Sequence, residues 1–167
     1  TDTATAQFSG AGKTITGTID GLATTEGTIT VSGTPTFVNT IGATNRPSQL
    51  TINGATTFQA AVQTGALTTT AAISNGTSLD VSGTSSLGAD VTTTGTQTYT
   101  GAVTVTGTGT RTLTGTTVTN SSTLNGGGIA LTITGNSSIG GAVTNVTNLS
   151  ISGTTSLGAD VTTSGTQ

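Results

Sequence analysis

From Leu79 the chain reads "LDVSGTSSLGADV", with Leu79, Val81, Gly83, Ser85, Leu87, Ala89 and Val91 on one parity and Asp80, Ser82, Thr84, Ser86 and Asp90 on the other. Alternation with period two marks a half-buried strand, because successive side chains leave opposite faces of an extended backbone. No segment carries the i, i+3, i+4, i+7 spacing of an amphipathic helix, and Gly and Thr are poor helix formers. The pattern predicts an all-β protein.

The same pattern recurs. "LTINGATTFQAAV" begins at Leu50, "LTITGNSSIGGAV" at Leu131 and "LSISGTTSLGADV" at Leu149, and with the Leu79 copy all fit L-x-[IV]-x-G-x-[ST]-[ST]-[FLI]-x-x-x-V. A fifth copy, "ITVSGTPTFVNTI" at Ile29, departs only at Ile29, Pro35 and Ile41, and a further unit begins near Val103. Sub-repeats therefore start near 29, 50, 79, 103, 131 and 149. Leu79–Gln97 and Leu149–Gln167, seventy residues apart, agree at fifteen of nineteen positions.

Short strands broken by Gly and repeated every 18 to 29 residues predict a right-handed parallel β-helix of seven or eight coils. One coil cannot close a core, whereas stacked coils bury a continuous apolar column. The expected core is Leu50, Ile52, Phe58, Val62, Leu79, Val81, Leu87, Val91, Leu131, Ile133, Ile139, Val143, Leu149, Ile151, Leu157 and Val161, each stacked on its equivalents one coil away. The repeated Gly33, Gly54, Gly83, Gly135 and Gly153 are expected at corners, where φ is positive or another backbone approaches closely. At about 4.8 Å per stacked strand the rod is roughly 35–40 Å long. The competing fold is an antiparallel immunoglobulin-like sandwich of about 100 residues, which a near-identical echo with a sub-repeat near 20 does not favour. The reading is one solenoid segment over residues 1–167, a piece of a longer repetitive protein.

Composition narrows function. The chain has 48 Thr and 26 Gly, only nine charged residues, and no Cys, His, Met or Trp. Neutral hydroxyls must cover a surface that is about a quarter charged in ordinary domains. Lys13, Arg46 and Arg111 are too few and too scattered to neutralise phosphates, which argues against nucleic acid. Without Cys or His, disulfides, thiol chemistry and zinc centres are not expected. No run reaches the roughly 18 apolar residues of a membrane-spanning helix. Low charge also suits disorder, but the regular apolar spacing and β-branched Thr favour strands.

The strings "FQAAV", "SLGADVTTTGTQTYTGAVTV" and "TLTGTTVT", above all "TTGTQTYTGAV" from Thr93 to Val103, resemble repeats of filamentous-haemagglutinin-like surface proteins of Gram-negative bacteria. The resemblance is clearest from Leu50 to Gln167. It implies a right-handed β-helical shaft, secretion to the cell surface, and a part in adhesion or contact with other cells through the parent protein. The family's secretion-recognition domain has no counterpart here.

Candidate chemistry is sparse. The carboxylates are Asp2, Asp20, Glu26, Asp80, Asp90 and Asp160. Asp90 and Asp160 hold the same place in two repeats, which reads as a turn feature, an Asp bonded to its own turn, rather than as an acid–base pair. "GGG" at Gly126–Gly128 lacks the Asp of calcium-binding solenoid repeats, and "LGAD" lacks further oxygen donors. The T-x-T run Thr104–Thr116 offers a flat hydroxyl array of the kind that binds ice, interrupted by Arg111. Asn75, Asn120, Asn136, Asn145 and Asn148 begin sequons but suit corner ladders or left-handed turns better. Tyr99 and Phe58 read as core fillers. The expectation is a structural shaft segment, not an enzyme, with no cofactor or metal, self-associating end to end or with neighbouring repeats of its parent. A Thr-face binder of ice or carbohydrate and an enzyme remnant remain the alternatives.

Overall fold

The computed structural model describes residues 4–167. Among them there is no helix, and nineteen strands join one sheet in which every recorded pairing is parallel. The strands wind into a β-solenoid of about 8 turns, within the seven or eight coils expected.

Each turn has three sides, and the cleanest stretch shows how the sequence makes them. Strands Leu79–Val81, Ser85–Leu87, Val91–Thr93, Gln97–Tyr99 and Val103–Val105 follow one another at six-residue intervals. In each, the first and third residues are buried and the middle one faces outward. A short strand followed by a three-residue corner is one side, and three sides bring the chain back over itself. Gln97 accordingly pairs with Leu79, Val103 with Ser85 and Leu113 with Val91. One side runs Ile29, Leu50, Leu67, Ser85, Val103, Leu124, Val143, Val161; another runs Ile41, Val62, Leu79, Gln97, Val118, Ser137, Thr155.

This register corrects the expected stacking. The thirteen-residue sentence at Leu79 spans all three sides, and its copies begin on different ones. Ile29 lies under Leu50, and Leu131 under Leu149, so those pairs stack copy on copy. Leu79 instead lies between Val62 and Gln97, and Val81 between Thr64 and Tyr99. The seventy-residue echo is three turns and two sides long, so its two copies never align. The physical reason is that the three sides are chemically alike. A sequence unit specifies a side and a corner, not which side of the triangle it occupies.

The lumen holds the predicted apolar residues. Leu50, Ile52, Phe58, Val62, Leu79, Val81, Leu87, Val91, Leu131, Ile133, Ile139, Val143 and Leu149 are buried. Ile151 and Val161 are half-buried, and Leu157, expected inside, is 49% exposed. All three lie in the last turn, where Leu157 pairs only with Ile139. Toward the other end, Phe8 meets Phe37 edge-on at 5.1 Å and Phe37 stacks on Phe58 at 5.2 Å.

Corners are close-packed backbone. A Cβ on Gly54 would overlap the Gly33 carbonyl oxygen, and one on Gly33 that of Gly10. Gly83 sits under Gly101 and over Gly65 in the same way, and Gly153 over Gly135 over Gly115. Only Gly135 of the five also has positive φ, at 123°. For the other four, close approach is what demands glycine. Two longer corners, near residues 20–27 and 42–48, lie one above the other. The Asp20 carboxylate accepts from the Thr44 and Asn45 amides at 2.9 and 3.3 Å, and the Arg46 carbonyl accepts from the Thr25 amide at 2.8 Å.

Candidate functional site

The outward middle residues of the strands form rows along the rod. One side carries Thr30, Thr51, Thr68, Ser86 and Thr104 in register. Another carries Thr98, Thr119, Ser138 and Ser156. On the third side, Thr92, Thr114 and Thr134 run beside Thr112, Thr132 and Ser150, which makes a patch two columns wide. Parallel in-register stacking is the cause, since each identical outward position repeats at the spacing of neighbouring strands.

The T-x-T run Thr104–Thr116 is therefore not one flat array. Gly107 and Gly109, with φ of 92° and 80°, turn the chain from one side to the next. Thr104 joins the first row, while Thr112 and Thr114 join the double one. Arg111 lies at the break, its guanidinium folded toward Gly107 and donating to the Thr110 carbonyl at 3.3 Å.

A shallow groove of about 350 Å³ runs across four turns of the first side. Ala66, Thr84 and Ala102 at the corner and the outward Thr68, Ser86 and Thr104 are among the residues that line it. Gln49 closes one end and donates from Nε2 to the Thr68 hydroxyl at 3.2 Å. No titratable side chain lines it.

The carboxylates serve the fold. Arg46 and Asp80 form a two-pronged ion pair, 3.1 Å for Nη1 to Oδ1 and 2.6 Å for Nη2 to Oδ2, bridging turns 34 residues apart in sequence. Their side chains are 25% and 37% exposed, so the pair is partly screened by solvent. We expect Arg46→Met to lower unfolding free energy by no more than about 1 kcal/mol, with the difference shrinking at high salt. Urea titrations at low and high NaCl measure this directly. Asp90 does not bond its own turn as expected; its Oδ1 accepts from the Thr112 amide of the next turn at 2.9 Å. Asp2 lies outside the described residues. Among the described residues, no three or more His, Cys, Asp or Glu gather into a metal-holding group.

Four of the five sequon Asn divide between the two expected jobs, whereas Asn120 does neither, being buried in the lumen with no hydrogen-bond partner among the described residues for its side-chain amide. Asn75 and Asn145 adopt left-handed backbone, with φ of 63° and 56°. Asn136 and Asn148 each accept from the amide and hydroxyl of a Thr one turn on, at Thr154 and Thr166. Asn145 also donates to Asn125 at 3.2 Å, a rung of a corner ladder. Asn120 is only 2% exposed inside the lumen, so its sequon is closed to modification in the folded chain.

One polar group was not legible beforehand. Gln97 occupies an inward position and is fully buried. Its Nε2 donates to the Val91 carbonyl at 3.0 Å and the Thr114 carbonyl at 2.7 Å, and its Oε1 accepts from the Tyr99 hydroxyl at 2.9 Å. The Thr114 carbonyl stands where the strand ladder skips between Thr114 and Thr117. The signal was a Gln at the first position of a six-residue side, visible only once that period is known.

Burial pushes the Tyr99 phenol well above its ordinary value of 10. The folded state then keeps a proton that the unfolded chain releases above pH 10, so this group's contribution is fully present below pH 10 and is lost above it. Wild-type stability should fall more steeply than that of Tyr99→Phe above this pH, by at most about 1.4 kcal/mol per pH unit. Parallel slopes in the two proteins would contradict the burial.

Comparison with known proteins returned no matching family model, no curated relative and no matching solved structure.

Proposed function

We propose that this chain is a structural shaft segment of an extracellular fibre or adhesin of a Gram-negative bacterium, spacing or assembling rather than catalysing. The observation that carries this reading is the uninterrupted stack of coils with neutral Ser and Thr rows on all three sides. Four of the few charged groups are spent on tying turns together: Asp20, Asp90 and the Arg46–Asp80 pair. Each coil adds length and an interface to its neighbours, while a surface poor in charge grips neither nucleic acid nor anionic membrane. The resemblance of "TTGTQTYTGAV" to haemagglutinin-like repeats supplies the cellular setting.

A second reading rests on the two-column patch of Thr112, Thr114, Thr132 and Thr134, a ranked hydroxyl surface suited to ordered water or sugar. One set of assays separates the two. Purified protein is offered to glycan arrays, titrated with calcium and tested for inhibition of ice recrystallisation. A shaft gives no saturable binding in any of them. Arrest of ice growth, or micromolar glycan binding lost on Thr132→Tyr, would replace the shaft with the hydroxyl-array reading.

A further inference from the structure

The groove on the first side belongs to a longer column of outward positions, each just ahead of an inward residue. Thr28, Gln49, Ala66, Thr84, Ala102 and Thr123 stand in it one turn apart. Thr5 precedes them, and Ala142 and Asp160 follow. Beside the column runs the row of Thr30, Thr51, Thr68, Ser86 and Thr104. Among the described residues, only Asp160 brings a charge to this column or to the strands that it opens. The face therefore lacks the repulsion that keeps protein surfaces from their own copies.

Relief along the column is uneven. Gln49 is its one long side chain, and it is held down across the surface, Nε2 donating to the Leu50 carbonyl at 3.0 Å and to the Thr68 hydroxyl at 3.2 Å. Three turns on, Ala102 leaves a hollow, and Ala66 and Thr84 lie between the two. A ridge and a hollow on one face can fill each other in a pair related by two-fold symmetry.

We propose that this side pairs with the same side of a second copy, the two rods antiparallel about a two-fold axis that crosses the face between Ala66 and Thr84. Gln49 of each copy then fills the hollow over Ala102 of the other, Ala66 meets Thr84, and Thr28 meets Thr123. Thr5 reaches Ala142, and Asp160 alone falls beyond the overlap. Both faces repeat at about 4.8 Å per strand, so a match at one turn is a match at all eight. A peptide strand laid along the rod repeats its side chains at about 6.6 Å and drifts out of step. A small ligand would stay mostly in water, because the groove is shallow and no aromatic or titratable side chain lines it. The overlap is roughly 38 Å by 16 Å, or about 1,200 Å² over both copies, the low end for a specific interface, so the pair is weak. This contact joins neither ends nor coils, and it holds whatever the chain does in its cellular setting.

Sedimentation equilibrium of the full chain, carried to millimolar concentration, should show a reversible dimer. Ala102→Arg and Ser86→Arg each place a cation in the overlap and should raise the dissociation constant at least about tenfold, whereas Thr119→Arg, the same charge on the second side, should change it less than about twofold. Circular dichroism confirms that the variants fold. The chain has no Cys, so a spin label on Ser82→Cys, at an exposed corner beside this face, reports a single distance between copies. Side-by-side pairing places the labels within about 25 Å, and rods joined end to end place them nearly 40 Å apart. A chain that stays monomeric, a dimer indifferent to both arginines on this face, or a distance near 40 Å would each overturn the proposal. Glycan binding by the monomer that Ala102→Arg abolishes would give the groove to a sugar and overturn it too. Arrest of ice growth with the dimer intact would sink the shaft reading and leave this pairing supported.

Discussion

Leu87→Asp is expected to lower the unfolding free energy by at least about 4 kcal/mol, and Leu157→Asp by less than about 1. The two residues are the same letter of the same nineteen-residue sentence, so local sequence cannot separate them. Their surroundings do. Leu87 is fully buried between Thr69 of the turn below and Val105 of the turn above. A carboxylate there loses the leucine's packing and is cut off from water with no cation beside it; Leu157 already meets solvent over 49% of its surface. Because each coil is stabilised by its neighbours, damage at Leu87 also uncouples the turns on either side. Urea titration followed by circular dichroism measures both variants. Similar losses would mean that position in the stack does not control burial, and the solenoid register would be wrong.

That contrast also locates what the sequence could and could not disclose. Alternation over Leu79–Val91 was sufficient to place Leu79, Val81, Leu87 and Val91 inside, because period two assigns a face to each residue whatever lies above it. Glycine at Gly33, Gly54 and Gly83 was likewise readable, since only a corner needs the space that a missing Cβ leaves. Stacking register was not. The repeats were read as whole coils, whereas the structural unit is a six-residue side, and insertions near residues 20–27, 42–48 and 107–110 shift its phase. Leu50 and Leu79 are spelled alike yet stand on different sides of the triangle, because nothing in a Leu-x-Val strand distinguishes one side from another. The candidate surface was half legible for the same reason. Outward Thr was evident, but which Thr align into the double row of Thr112 and Thr132 depends on where Gly107 and Gly109 bend the chain.

Inward polar residues were the hardest to see, and Gln97 is the one with the largest consequence. Gln97→Leu should cost about 3 kcal/mol, while Gln167→Leu should stay within about 0.5. Leucine fills the space and gains roughly 1.5–3 kcal/mol of apolar burial, but it makes none of the three hydrogen bonds. The Val91 carbonyl and the Tyr99 hydroxyl then lose their Gln97 partner inside the lumen, and the Thr114 carbonyl keeps only the Thr93 hydroxyl at 3.4 Å, at about 1–3 kcal/mol for each group left unpaired. At Gln167 the side chain is exposed and its bonds are long, 3.4 Å to the Val161 carbonyl and 3.3 Å to the Thr163 hydroxyl, with water ready to replace it. A double-mutant cycle isolates the network from general packing. Adding Tyr99→Phe to Gln97→Leu removes one stranded hydroxyl, so the pair should be less damaging than the sum of the singles by about 1 kcal/mol. Strict additivity would show that the 2.9 Å contact between Tyr99 and Gln97 carries no coupling energy, and that Gln97 is tolerated inside the rod rather than required to bridge the skipped rung at Thr114.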